Sequence, residues 1–241
     1  MVRLLAQEGE LTPERTAQRD SWAVRIPEGV REVIGRRLDR LSERCNQTLT
    51  IASVIGREFT SEQLLPLIDD LSADRLLEVL EEALASRVIE EMPRAVGRYQ
   101  FTHALIQDTL AGELSTTRKV RLHARIAQAL EDLYGGDADA HAAELAHHFA
   151  EAQSVAGTEK LVRYSALAGE GALSIYGYEE AQAHFERALA AKEGQGTDAG
   201  TASLLFGLGR AQVALFQRQE AMVSLSRAFD HYSGVGDIEG A

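Results

Sequence analysis

Apolar residues recur every three to four positions along most of this chain, the spacing that places them on one face of an α-helix. The first clear run follows Pro27, a residue that suits a helix start because its missing N–H needs no partner there. A second helix is predicted near residues 46–55, where Gly56 ends it, and a short third one begins at Thr60 or Ser61. The apolar face of the first helix consists of Val30, Ile34, Leu38 and Leu41.

A better-patterned helix begins at Ser72 and leads into a predicted β-hairpin. Two strand-like runs, VIEEM and RYQFT, flank a turn that contains Pro93 and Gly97. Two further helices are predicted, over 103–114 and over about 117–134. The buried positions expected on the helix after Ser72 are Leu76, Leu77, Leu80, Ala83 and Leu84, and those on the last helix are Val120, His123, Ile126, Ala127, Leu130 and Leu133.

Several short helices, then a hairpin, then another helix is an order typical of a winged-helix module. We therefore predict a winged-helix domain over 25–134, after a polar lead-in at 1–24. The run GGDADA (135–140) interrupts the helical pattern and marks the predicted domain boundary. From 140 to 241 every segment has helix–turn–helix spacing.

The second half contains an internal repeat. Segments 165–189 and 205–229 align with each other at a constant offset of 40 residues. The alternative is that they are ordinary amphipathic helical hairpins without a repeat. Small residues let paired helices approach closely and large ones fill the groove between them, as in tetratricopeptide repeats, whose usual period is about 34 residues. The aligned positions are Ala168, Gly169, Ala181, Phe185, Ala188 and Leu189 in the first segment, and Leu208, Gly209, Ala221, Leu225, Ala228 and Phe229 in the second. The predicted fold class is thus mainly α, a winged helix with one small hairpin followed by a tetratricopeptide-like α-superhelix.

Composition narrows the possible functions. The chain of 241 residues has a net charge of −12, which repels phosphate backbones. Cys45 is its only cysteine, so a disulfide within the chain is excluded and a reducing, cytoplasmic location is expected. None of the three lysines follows a glycine, so a phosphate-binding P-loop is missing and the chain alone is predicted not to be an enzyme. No apolar run is long enough for a membrane span.

Several segments, taken in order, resemble one family. They are IPEGVREVIGRRLDRLSE, IASVIGREF, YQFTHALIQDTL, RLHARIAQALE and ELAHHFAEA. Together they resemble the region downstream of the ATPase core in bacterial signal-transduction ATPases with numerous domains (STAND ATPases). LuxR-type regulators and ATPase-linked adenylate/guanylate cyclases are examples of that family.

This resemblance implies a function in regulation rather than catalysis. The lead-in at 1–24 would follow an ATPase core outside this chain, and the repeats would break off at the C-terminus. The winged helix would relay the nucleotide state of that core, which binds ATP or ADP and Mg²⁺, while this chain holds no cofactor. The expected partners are the ATPase core and, in the groove of the repeats, a partner protein or effector.

His103 has the sharpest hypothesis. In related nucleotide switches the winged helix carries a Met-His-Asp motif whose histidine contacts the β-phosphate of ADP. The corresponding triplet here is Thr102, His103 and Ala104, so only the histidine matches. A helix N-terminus suits phosphate because its free N–H groups point outward. The alternative is that His103 only caps or packs the helix.

The histidines also raise the possibility of a metal site. His141, Glu144 and His148 share one side of a helix, but this side also carries Leu145 and Phe149, so no metal site is predicted. His123 is likewise expected to be a core histidine.

DNA binding by a winged-helix transcriptional regulator is the alternative function. The helix before the hairpin carries more acids than bases, which opposes it. These charged residues are Asp74, Glu78, Glu81 and Glu82 against Arg75 and Arg87, with Arg94 and Arg98 on the hairpin.

Overall fold

The computed structural model describes residues 34–93, 95–194 and 198–235. Within these ranges the protein is mainly α-helical, with eleven α-helices of given bounds, a further helical segment at 34–38 and one small three-stranded antiparallel sheet, which confirms the predicted mainly α class. The helices are α1 (Glu43–Ile55), α2 (Ser61–Leu64), α3 (Ala73–Ala85), α4 (Ala104–Gly112), α5 (Thr116–Tyr134), α6 (Ala142–Glu151), α7 (Gln153–Ala156), α8 (Glu159–Ser174), α9 (Tyr178–Ala191), α10 (Ala199–Ala214) and α11 (Arg218–Val235). The predictions for the lead-in, Pro27, Val30 and Arg94 lie outside the described residues.

Side-chain caps begin several helices of the first half. Thr60 forms a complete capping box with Gln63, in which each side chain accepts a hydrogen bond from the backbone N–H of the other, at 3.1 and 2.9 Å. Ser72 caps α3 and Ser115 caps α5 in the simpler way, with the hydroxyl oxygen as acceptor. These oxygens satisfy N–H groups that have no partner inside the helix, so polar residues at these positions determine where the helices start.

The first predicted helix ends earlier than its apolar spacing indicated. Residues 34–38 are helical, a turn follows, and α1 begins only at Glu43. Ser42 makes the break, because its hydroxyl accepts from the backbone N–H of Cys45 and donates to Glu82 of α3 at 2.7 Å. The apolar side chains of Ile34, Leu38 and Leu41 are nevertheless all buried.

The sheet has one more strand than the predicted hairpin. Strands β2 (Ile89–Glu91) and β3 (Arg98–Phe101) form the hairpin, and β1 (Glu58–Thr60) pairs antiparallel with the other side of β3. Phe59 lies opposite Tyr99 in this pairing, and their rings stack with centroids 6.0 Å apart. Strand β1 was missed because three residues are too few to show alternation.

Two predicted core positions are exposed instead. Leu77 of α3 is 46% exposed and Leu133 of α5 is 42% exposed. In α3 the buried stripe keeps helical spacing but includes Val79 in place of Leu77, because Leu77 lies about 100° around the helix from Leu76. The buried residues of this stripe are Leu76, Val79, Leu80 and Ala83.

The segment at the predicted domain boundary is ordered. Gly135–His141 forms a 3₁₀ helix with Ala138 buried, and one cluster of buried side chains extends continuously from α1 to α8. Glu131 of α5 also accepts hydrogen bonds from Lys160 and, at 2.7 Å, from the hydroxyl of Tyr164, both on α8. Helices on either side of the boundary are therefore joined by apolar and polar contacts.

The second half consists of helical hairpins. Helices α8 and α9 pack against each other, as do α10 and α11, and α9 also packs on α10. A second cluster of buried side chains lies between them, with Phe185 at its centre. None of the helices in the described ranges combines the length and apolar character needed to cross a lipid bilayer.

Two glycines make room for the ring of Phe185. A Cβ atom at Gly169 of α8 would lie 2.8 Å from this ring, and one at Gly207 of α10 would lie 2.5 Å from it. The ring cannot retreat, because glycine backbones confine it on both sides. We expect Gly207→Ala to lower the free energy of unfolding by about 1–3 kcal/mol through overpacking, measured by chemical denaturation followed by circular dichroism.

A matched variant is available two positions from Gly169. A Cβ at Gly171 of α8 meets no atom within 4 Å. Gly171→Ala should therefore stabilise the protein by about 0.5–1 kcal/mol, since alanine loses less backbone entropy in a helix. Equal effects of Gly207→Ala and Gly171→Ala would contradict the packing described here.

Candidate functional site

His103 lies at the junction between β3 and α4. It is the N-cap residue of α4, with extended backbone (φ −142°, ψ 136°), and its exposed side chain makes no capping hydrogen bond. The hydroxyl of the neighbouring Thr102 is engaged, since it donates to the carbonyl of Arg87 at 3.0 Å. Neither structural role that the sequence offered for the His103 ring, capping or packing, is filled within the described residues.

The helix that precedes the hairpin presents mainly acidic groups. On α3 the guanidinium of Arg75 is paired with Glu78 at 2.7 Å. On the hairpin Arg98 is paired with Glu58 at 3.4 Å. Both cations are therefore partly neutralised, so these two arginines of α3 and β3 contribute little free positive charge toward a phosphate backbone.

The predicted repeat positions occupy equivalent places in the two hairpins. Gly169 packs against Phe185, and Gly209 packs against Leu225, where a Cβ would lie 2.6 Å from the leucine side chain. Phe229 is the exception to the predicted packing, because it is 54% exposed. The positions that are buried as predicted are Ala168, Gly169, Ala181, Phe185 and Ala188 in the first hairpin, and Leu208, Gly209, Ala221 and Ala228 in the second.

The turns of the two hairpins repeat as well. Tyr176 and Phe216 have positive φ angles of 65° and 60°. Residues other than glycine adopt this left-handed backbone conformation at a cost of about 1–3 kcal/mol. The next residue in each turn donates its N–H to a carbonyl five positions back, Gly177 to Ala172 and Gln217 to Gln212, both at 2.9 Å. The two aromatic side chains are 77% and 82% exposed.

Three histidines from two neighbouring helices form a cluster that the sequence analysis did not assemble. His123 of α5 and His148 of α6 are buried, with their Nδ1 atoms 2.9 Å apart, and the exposed His147 of α6 lies beside them. One ring nitrogen from each histidine lies within 4.8 Å of the other two. His123 and His148 both fall on apolar helix faces, and this shared property was the available sequence signal.

Burial keeps the inner two histidines neutral. It lowers the pKa of His123 to about 4, and the charge of Glu151 opposes this effect while His147 and Lys119 add to it. Burial also lowers the pKa of His148 to about 3, together with the charges of the other two histidines, while a hydrogen bond to the backbone of Ile55 opposes the shift. The outer nitrogens, Nε2 of His123 and of His148, have no well-formed hydrogen bond.

A cavity of about 230 Å³ opens on the histidines. Its lining includes His123, His147, Asp108, Glu151 and Lys119. Another cavity, of about 380 Å³ near the second hairpin, has no histidine among the described residues of its lining. His141 and Glu144, which the sequence places near His148 as possible metal ligands, are arranged differently. His141 stacks on Tyr134 with ring centroids 3.7 Å apart, and the hydroxyl of Tyr134 donates to Glu144 at 2.6 Å.

Cys45 has no nucleophilic character. Its side chain is buried, and burial, assisted by the charge of Glu82, raises the pKa of its thiol to about 12. The thiol is therefore protonated at neutral pH and is inert as a nucleophile.

Comparison with protein-family models, with curated proteins and with solved structures gives no match for this chain.

Proposed function

We propose that this chain is the non-catalytic signal-transduction and protein-interaction part of a larger ATP-dependent regulator. The observation that carries the proposal is the correspondence of the two helical hairpins at a spacing of 40 residues, as between Gly169 and Gly209. The close glycine contact, the left-handed aromatic turn residue and the turn hydrogen bond recur together. Such regularity favours a tetratricopeptide-like repeat over unrelated amphipathic hairpins, and arrays of this kind act mainly as binding surfaces.

The exposed side chains of the last hairpin suit this role. A partner protein or effector would bind the repeats through apolar and aromatic contacts, which are the usual anchors of protein interfaces. The large apolar side chains exposed on α10, α11 and the turn between them are Phe206, Val213, Phe216, Met222, Val223 and Phe229.

The first half fits a winged-helix module that responds to nucleotide. Its helices α1 and α3, its three-stranded sheet and the helix α4 follow in winged-helix order. In this proposal His103 meets a phosphate of ADP held by an ATPase core in the same polypeptide. Its exposed ring at the N-terminus of α4 leaves an N–H available as a donor.

The test uses the protein with its ATPase core. His103→Ala should speed ADP release by about tenfold, since a hydrogen bond to a charged group contributes about 1.5 kcal/mol or more. Release is measured with a fluorescent ADP analogue, and His231→Ala on α11 serves as the control. Unchanged release from the His103 variant would refute the phosphate contact. An isolated chain that hydrolyses ATP would refute the non-catalytic assignment.

DNA binding remains the alternative function. It is disfavoured by the paired and acidic side chains of α3. A gel-shift assay over a range of salt concentrations distinguishes the two, because phosphate contacts weaken steeply as salt rises. Tight, salt-dependent binding would replace the protein-interaction proposal.

A further inference from the structure

The histidine cluster of α5 and α6 is not accounted for by packing. A neutral imidazole has one donor and one acceptor nitrogen. In a bare His123–His148 pair, one Nδ1 must donate to the other across 2.9 Å. The Nε2 of one ring is then a bare acceptor in the core and that of the other ring is an N–H donor. Neither nitrogen has a partner of good geometry, and the backbone of Ile55 is the group that interacts with the His148 ring as a hydrogen-bond partner. Each unsatisfied buried group costs about 1–3 kcal/mol, so two leucines would pack more favourably.

Metal coordination accounts for the close approach of the two Nδ1 atoms, because each can then direct a lone pair at the same ion. Zinc binds imidazole nitrogen at about 2.0–2.1 Å in tetrahedral geometry, which places two ligand nitrogens about 3.3 Å apart. The two Nδ1 atoms at 2.9 Å need to separate only slightly to reach this distance. Both rings would then carry their proton on Nε2, the tautomer that suits coordination through Nδ1.

We propose that His123, His147 and His148 form a binding site for a divalent transition metal, with Zn²⁺ as the preferred ion. Three imidazoles suit zinc better than magnesium or calcium, which prefer oxygen ligands. His147 supplies the third nitrogen, which lies within 4.8 Å of the other two. The ion would join α5 to α6. This metal site is independent of the nucleotide role proposed for His103.

The surroundings provide access and partial charge compensation. The cavity of about 230 Å³ that opens on the cluster connects it with the exterior. Glu151 and Asp108 line this cavity and can offset the charge of the ion, with Glu151 or a water molecule as fourth ligand. Lys119 lines it too, and its positive charge opposes binding, so the two carboxylates have to outweigh one ammonium group.

The experiment compares zinc binding by the untagged chain and two variants. Isothermal titration after chelator treatment should give one Zn²⁺ per chain and a higher melting temperature with zinc. His147→Ala removes the exposed ligand, so the fold should persist while zinc affinity falls by about 10- to 100-fold or more, as loss of even an outer-shell partner costs that much. Co²⁺ should show the absorption bands of a tetrahedral site in the wild type and not in the His147→Ala variant.

The matched control is His141→Ala, which removes a histidine adjacent to α6 but outside the cluster. It should bind zinc as tightly as the wild type. Absence of a one-to-one complex at micromolar zinc, or undiminished affinity of the His147 variant, would overturn the proposal. Loss of binding in the His141 variant alone would do so as well, because the ligands would then be His141, Glu144 and His148.

Discussion

Replacing Phe185 with alanine should lower the free energy of unfolding by about 3–5 kcal/mol, the range found for a buried aromatic residue in a tightly packed core. The ring is 1% exposed and lies between Gly169 of α8 and Gly207 of α10. Glycine backbones cannot move into the vacated space as flexible side chains could, so most of the cavity will remain. Chemical denaturation of the purified chain gives the value directly.

The same substitution at Phe229 of α11 is the matched control. This side chain is 54% exposed, so Phe229→Ala should change the free energy of unfolding by no more than about 0.5 kcal/mol. A double variant adds a second test. Combining Phe185→Leu with Gly207→Ala should recover part of the loss caused by Gly207→Ala alone, because the smaller side chain leaves room for the new methyl group. Similar losses for the two phenylalanine variants would mean that Phe185 is not the centre of this core.

The second large effect is a loss of stability in mild acid. Burial lowers the pKa of His123 and His148 in the folded protein to about 4 and about 3. The unfolded chain therefore binds more protons than the folded one as pH falls below the ordinary histidine value, and stability decreases. Glu151 moderates this effect, while His147 and Lys119 strengthen it.

The size of the effect follows from this sign. Stability is fully present above about pH 6.5 and falls as the pH is lowered, by about 2 kcal/mol per histidine between pH 7.5 and 5. Denaturation in chelator-containing buffer at several pH values measures it without any contribution from metal. His148→Asn should reduce the pH-dependent loss by about half, because only one of the two buried histidines then remains. A pH dependence that is the same in wild type and His148→Asn would contradict the prediction.

Local signals identified most helices correctly. Thr60 and Ser72 are hydroxyl residues ahead of apolar runs, and each begins a helix in the structure, whereas Ser115, which begins α5, was not singled out. Such caps act over three residues, so sequence alone suffices to place them. The break at Ser42 was missed because its hydroxyl also bonds Glu82, 40 residues away.

The candidate sites divide in the same way. The equivalence of Gly169 with Gly209 and of Phe185 with Leu225 could be predicted, because a repeat is visible as a constant offset. The exposure of Leu77, Leu133 and Phe229 could not, since apolar periodicity marks a face but not which neighbour covers it. Strand β1 depends on pairing with β3, about 40 residues later in the chain, by the register Phe59 to Tyr99.

The sequence by itself determined the mainly α class, the hairpin, the helix starts and the repeated packing positions, because these depend on periodicity and on contacts within a few residues. Only the tertiary structure decided that His123 and His148 meet 25 residues apart in sequence, with His147 beside them. Their proximity arises from the packing of α5 against α6. The chemistry of each imidazole then depends on the ring nitrogen of the neighbouring histidine that it faces. A histidine that only packs in the core and one that binds a metal can have the same sequence pattern, and they differ in the groups that surround the ring.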